Sequence, residues 1–310
     1  MKCNFDNFAG IIPALMTPYD QNDTYDPACS QEMVDWMIAK GVGGFYLTGS
    51  NGTGPYMDVE ERIRVVDKIT EQVNGRVPVV AHIGHVSTKN SIRMAKAAQA
   101  SGCDGISAVP SYYITLNNAE MQKYYEDITS SVDLPMMVYA QTDRYTPSVE
   151  MFSRLSEIEN VCAVKYTGPN LYMMGRIKEH LGERLKVYSG YDEMMLAAQI
   201  MGADGAIGGT YNVIPEPYMK ARELLWEGQT KDAQKYIMIA NAIVEVFFKY
   251  NIGSAMRVGL KLMGVNAGRN PAPSENMDKS MEIAFVEDLK ILKERSIREG
   301  ITGIELLDIL

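Results

Sequence analysis

Residues 159–172 read ENVCAVKYTGPNLY, and the middle of that stretch decides the fold. VCAVKY (161–166) is an apolar run of strand length that ends on a single lysine. Near-continuous apolar runs of this kind mark strands buried on both faces. Seven more lie around it: GIIPALMT (10–17), GGFYLT (43–48), VPVVAHI (77–83), DGISAVP (104–110), LPMMVYA (134–140), LKVYSG (185–190) and DGAIGG (204–209). Between them run amphipathic segments such as DVEERIRVVDKITEQV (58–73), where Val59, Ile63, Val66 and Ile69 recur at helical spacing behind an Asp58 cap. Eight buried strands alternating with helices predict a closed, parallel (β/α)8 barrel.

The strand signals stop after residue 228. Helical patterns follow near 229–250, 253–264 and 280–297. The expected organisation is a barrel over 1–228 with a C-terminal helical extension over 229–310 packed on it. The closing GITGIELLDIL (300–310) is apolar enough to dock, either on its own barrel or on a neighbouring subunit. A single barrel of this type can occupy a chain of 310 residues.

Composition narrows the partners. Hydrophobic residues make up 46% and charged residues 22%, enough apolar surface to fold unaided. The net charge of −9, with no Lys/Arg run, argues against nucleic acid or an anionic membrane and favours a small-molecule partner. Cys3, Cys29, Cys103 and Cys162 lack CxxC spacing, so neither a disulfide framework nor a zinc site is expected. The N-terminus carries no continuous apolar signal region and no run approaches a membrane span. A reduced, cytoplasmic chain is the expectation.

In such a barrel chemistry sits at the C-terminal ends of the strands. Polar residues at those ends include Thr17, Ser50, Asn51, His82, Tyr112, Tyr113, Tyr139, Lys165, Thr167, Asp192, Glu193 and Thr210. Lys165 is the sharpest. Burial disfavours its charged form, and a neutral amine attacks ketones to give a protonated imine that withdraws electrons from adjacent carbons. Such an imine makes and breaks C–C bonds. The alternative is a lysine that snorkels to the rim and pairs with a carboxylate.

TGSNGTGPY (48–56) follows a strand and precedes a helix, but lacks both Gly-Lys-Ser/Thr and GxGxxG. Its amides, with Ser50 and Asn51, are suited to hold a carboxylate; a simple tight turn is the competing reading. His82 and His85 have no third ligand, and a pocket wall or packing role outweighs metal binding. Tyr112 and Tyr113 suit an interface or a proton relay. Asp192 and Glu193 suit a helix start or a ligand.

Together these segments resemble the N-acetylneuraminate lyase and dihydrodipicolinate synthase superfamily, pyruvate-dependent aldolases on a (β/α)8 barrel. TGSNGTGPYMDVEER (48–62) resembles the family's carboxylate-binding G-[ST]-T-G-E loop. SAVPSYY (107–113) resembles its double-tyrosine segment, VYA (138–140) its catalytic-tyrosine strand, and AVKYT (163–167) its Schiff-base strand. VYSGYDEMMLAAQIMGADGAIGGTYNV (187–213) and AHIGHVSTKNS (81–91) look more like the sialic acid lyases than the synthases.

The resemblance implies reversible cleavage of N-acetylneuraminate, or a related 2-keto-3-deoxy sugar acid, to pyruvate and N-acetylmannosamine. Lys165 forms the imine. Tyr139 moves a proton, linked through Ser50 to Tyr113 (or Tyr112) of a neighbouring subunit in a homotetramer. Asn51 and Ser50 hold the pyruvate carboxylate, while Thr167, Gly190, Asp192, Glu193, Ile207 and Gly209 meet the rest of the substrate. No metal or organic cofactor is implied, because the imine is the electron sink.

Three departures stand out. Thr53 replaces the loop's glutamate and Asn51 its second threonine; YAQT (139–142) replaces YN[IV]P; Gly209 replaces a serine. Arg144 lies where the synthases place an arginine for an aldehyde's carboxylate. It keeps open a dihydrodipicolinate synthase or another 2-keto-3-deoxy acid aldolase. Thr53 and YAQT leave room for a non-catalytic pyruvate-binding barrel.

Overall fold

The computed structural model describes residues 5–143 and 146–310. Eight strands form one parallel sheet: β1 (Gly10–Pro13), β2 (Phe45–Leu47), β3 (Val79–His82), β4 (Gly105–Ala108), β5 (Met136–Gln141), β6 (Val161–Thr167), β7 (Lys186–Ser189) and β8 (Gly205–Gly208). The order β1-β8-β7-β6-β5-β4-β3-β2 places the first and last strands side by side. A parallel bridge Ala14↔Tyr46 and the Leu15 N–H donating to Tyr46 O at 2.9 Å join β1 to β2 across the remaining seam. Every apolar run expected to be a strand is one, most of them trimmed at their ends, while β5 and β6 each run one residue past the expected end.

The strands alternate with α1 (Pro27–Lys40), α2 (Val59–Val73), α3 (Thr88–Ala100), α4 (Asn118–Thr129), α5 (Val149–Leu155), α6 (Leu171–Leu181), α7 (Met195–Ile200) and α8 (Pro215–Trp226). Local chemistry explains where they start. The Asp58 carboxylate accepts from the Glu61 N–H at 2.8 Å and caps α2, worth about 1 kcal/mol. Asn117 and Glu120 form a capping box on α4.

After α8 come α9 (Thr230–Lys249), α10 (Ile252–Leu262), α11 (Lys279–Arg298) and the short α12 (Glu305–Asp308). The last turn folds back on its own chain. Leu306 and Leu307 are buried, and Lys40 of α1 pairs with both Glu305 and Glu216. Of the two destinations open to the C-terminal segment, it takes the intramolecular one.

Apolar burial has two parts. The larger lies between sheet and helices, drawn from residues such as Leu47, Ala81, Ile106 and Val138. The smaller fills the barrel itself with the alternate residues Phe8, Ile12, Tyr46, Met137, Tyr188 and Ile207. Alternation of side chains puts neighbours on opposite faces of one strand. The interior is therefore a packed core and no pore.

Cys29 and Cys103 are free and buried. Among the described residues no helix is long and apolar enough to cross a membrane.

Candidate active site

Lys165 and Tyr139 are register partners on β6 and β5. An even register turns both side chains to the same face, here the barrel interior. Lys165 is 5% exposed. Its Nζ lies 4.3 Å from the Tyr139 ring centre and 4.6 Å from that of Tyr46 on β2. Among the described residues it has neither an ion pair nor a hydrogen bond, so the snorkelling alternative, which needs a carboxylate at the rim, lacks its partner. The rings also pack on one another: Tyr139 meets Tyr46 and His82 edge-on at 6.2 and 5.8 Å.

Tyr46 was not singled out from sequence. In a strand buried on both faces, hydrophobicity does not reveal which residues point inward. Its hydroxyl donates to Ser107 Oγ on β4 at 3.0 Å, and Ser107 donates to Met137 O at 2.9 Å. Burial raises the Tyr46 phenol well above its ordinary range, so it stays a neutral donor. His82 is likewise buried. Desolvation and the nearby Arg62 guanidinium hold its imidazole well below its usual value. Arg62 donates to Gly84 O at 2.9 Å and to His82 Nδ1 at 2.7 Å, and leaves Nε unpaired. The two histidines do not converge: His85 Nδ1 accepts from the Ser87 N–H at 3.0 Å.

The 48–54 loop is tightly constrained. Thr48 and Thr53 adopt positive φ of 51° and 52°, uncommon for β-branched residues and costly by about 1–2 kcal/mol each. Gly54 admits no side chain, because a Cβ there falls 2.0 Å from Thr48 O. Hydroxyls hold the loop: Thr17 donates to Gly52 O at 2.7 Å, Thr48 to His82 O at 2.9 Å, and Thr53 lies 2.8 Å from the Tyr19 hydroxyl. The position of the family's glutamate thus serves as a tether to the β1 end. Ser50 at the tip is exposed and makes no hydrogen bond to Tyr139 within this chain.

On the opposite rim Thr167 ends β6, its buried hydroxyl without a partner. It fills the space over Gly190, where a Cβ comes 1.8 Å from Thr167 Oγ1. Asp192 is buried in the turn after β7, and its Oδ2 accepts from both the N–H and the hydroxyl of Thr210 at 2.7 Å. Desolvation raises its carboxyl to about 6 despite those bonds. Glu193 is half-buried, its carbonyl held by Asn241 of α9 at 3.1 Å. Ile207 is fully buried in the barrel interior. Tyr112 is half-buried, whereas Tyr113 is 87% exposed beside a cavity of about 270 Å³. Arg144 lies outside the described residues.

These features define the class: an α/β-barrel enzyme whose polar side chains gather at the C-terminal mouth of the strands, with a lysine at the centre. The chain belongs to the dihydrodipicolinate synthetase family, whose model matches residues 7–292. It is an aldolase of the superfamily that also holds the N-acetylneuraminate lyases. It is 32% identical to an Escherichia coli N-acetylneuraminate lyase over 262 residues, covering 84% of this chain and 88% of the relative. Its fold is similar to the N-acetylneuraminate lyase of Mycoplasma synoviae (TM-score 0.87, 28% identity, covering 94% and 99% of the two chains). It is also similar to a dihydrodipicolinate synthase from Bacillus anthracis (TM-score 0.85, 28% identity, 91% and 97%).

Proposed function

We propose that the protein is a lysine Schiff-base aldolase that cleaves N-acetylneuraminate, or a closely related 2-keto-3-deoxy sugar acid, reversibly to pyruvate and N-acetylmannosamine. One observation carries the reading: a buried Lys165, without a carboxylate partner among the described residues, lies against the ring of its register neighbour Tyr139.

The Lys165 amine adds to the C2 carbonyl of the open-chain acid, and loss of water leaves a protonated imine. Tyr139 accepts the proton of the C4 hydroxyl as the C3–C4 bond breaks, while its own phenolic proton passes into the relay of Ser50 and a neighbouring copy's Tyr113, which returns it when C3 is protonated. The bonding pair flows into the imine as an enamine, and the aldehyde departs. Protonation at C3 and hydrolysis return the free amine and pyruvate. Ser50 and the N–H groups of the 48–54 loop receive the carboxylate, while Thr167, Gly190, Asp192 and Glu193 face the polyhydroxyl tail, whose hydroxyls are donors for carboxylates. The exposed Tyr113 serves a neighbouring copy's Ser50–Tyr139 pair in a cytoplasmic homotetramer. Residues 229–310 form the helical region packed on the 1–228 barrel.

Borohydride reduction in the presence of pyruvate, followed by peptide mass mapping, tests the assignment. A pyruvyl adduct on any lysine other than Lys165 overturns it. The second reading, a synthase or an aldolase for another acid, is favoured by Arg144 and by the likeness to the Bacillus anthracis enzyme. Turnover of pyruvate with aspartate semialdehyde, and none of N-acetylneuraminate, establishes that reading instead.

A further inference from the structure

The end of β8 carries two successive glycines, and each has a polar side chain resting where its own Cβ would stand. At Gly208 the occupant is the Asp192 carboxylate, with Oδ1 1.7 Å from the Cβ position. At Gly209 it is the Asn51 amide, with Nδ2, Cγ and Oδ1 at 2.6, 2.8 and 2.9 Å. One occupant arrives from the turn after β7 and the other from the loop after β2. The backbone of Gly209 is right-handed, φ −77° and ψ −44°, so nothing in its conformation demands glycine. Contact with Asn51 does.

The amide so seated makes no hydrogen bond among the described residues. An amide offers two donors and an acceptor, all available to a ligand. It also lines, with Ser50, Arg257 and Asn270, a cavity of about 310 Å³ between the 50–56 loop and the start of α10. The hydroxyl of Ser50 and the backbone of the loop are separate groups and remain for an anion. The Asn51 side chain is instead drawn to β8, towards the strand end that also receives Asp192.

We infer that Asn51 and Gly209 act as one specificity unit: the missing side chain at 209 seats the Asn51 amide to read hydroxyl groups on the aldehyde-derived part of the substrate, with the pyruvate carboxylate left to Ser50 and the loop. The inference rests on the aldolase reading and deepens it. Asn51 is the contacting residue, and Gly209 positions it.

The test measures condensation of pyruvate with N-acetylmannosamine and with glyceraldehyde, alongside borohydride trapping of pyruvate alone, in the wild type, Gly209→Ala, Asn51→Ala and the double variant. The expected result for Asn51→Ala is a fall of about tenfold, the worth of one hydrogen bond, in the kcat/KM ratio of N-acetylmannosamine over glyceraldehyde. Half-saturation of trapping by pyruvate shifts far less. Gly209→Ala lowers the same ratio, and the double variant is no worse than Asn51→Ala, because both changes remove one interaction. Additive losses break the coupling. An equal fall for both aldehydes, or a loss confined to pyruvate trapping, overturns the acceptor-side role. Circular dichroism and thermal midpoints check that the variants fold. Should the wild type trap no pyruvate at all, the aldolase reading itself falls, and this inference with it.

Discussion

Two buried tyrosines point into the same barrel and are used in different ways. Tyr188 on β7 is the other register partner of Lys165, yet its hydroxyl reaches down to the N-terminal segment and donates to Phe8 O at 2.5 Å, with the Phe8 ring packed 5.6 Å away. Its partners are backbone carbonyls of the N-terminal segment, and it plugs the bottom. Tyr46 on β2 is hydrogen-bonded to a side chain and faces Lys165. Burial raises both phenols well above their ordinary range, so neither is an acid at neutral pH. The difference lies in the company. One end of the interior is closed by apolar packing around Phe5 and Phe8, whereas Tyr46, Ser107 and His82 are tied into polar contacts beside an unpaired Lys165.

The comparison can be broken at several places. The largest effect is expected from Lys165→Ala, which removes the imine and with it the activity by at least ~10³-fold. Its unfolding free energy should change little or rise, since a buried amine is costly to desolvate. A Lys165→Ala variant that keeps measurable turnover places the nucleophile elsewhere. Tyr139→Phe comes next. Removing a proton-transfer group costs roughly 10²–10⁴-fold in kcat, while trapping of pyruvate persists. Loss of trapping and turnover together would show that Tyr139 acts on imine formation.

The two interior tyrosines give a smaller, sharper contrast. Tyr188→Phe withdraws a donor from the Phe8 carbonyl and is expected to cost about 1–3 kcal/mol in denaturant unfolding, with kcat retained. Tyr46→Phe frees the ring from Ser107 and is expected to lower kcat about tenfold through misplacement of Lys165, with a stability loss near 1 kcal/mol. If the two variants behave alike, the division of the interior is wrong.

The last effect is spread over a pH range and concerns Asp192. Its carboxyl is raised by burial to about 6 from an ordinary 3.8. The folded state therefore holds a proton between those values that the unfolded state has lost. Stability falls as pH rises from about 4 to about 6 and levels off above, a span worth about 3 kcal/mol by linkage. Asp192→Asn keeps an acceptor for Thr210 and should flatten that slope in unfolding curves taken from pH 4 to 7. An unchanged slope removes Asp192 as its cause.

Much of this was legible in the chain. The eight apolar runs were long enough, and punctuated clearly enough, to be read as strands, and Lys165 stood out as a charged residue ending one of them. The glycines of the 48–54 loop marked a tight turn, and the close contacts at Gly54 show why. Tyr46, Ser107 and Arg62 were not legible. On strands buried from both sides, apolar character is the same on either face, so the inward set cannot be told from the outward set without the register. The Asn51–Gly209 contact was read as two separate departures from the family pattern. Its two residues lie 158 positions apart, and only barrel closure brings β2 and β8 to either side of β1.

By itself the sequence determined the barrel and the identity of its central amine, because both are written in local patterns: strand-length apolar runs, capped helices and one ionisable residue at a strand end. The tertiary structure decided which side chains share the mouth, where the C-terminal turn docks and which glycines make room for a neighbour. Those are contacts between distant segments, set by register and closure, and no local pattern encodes them.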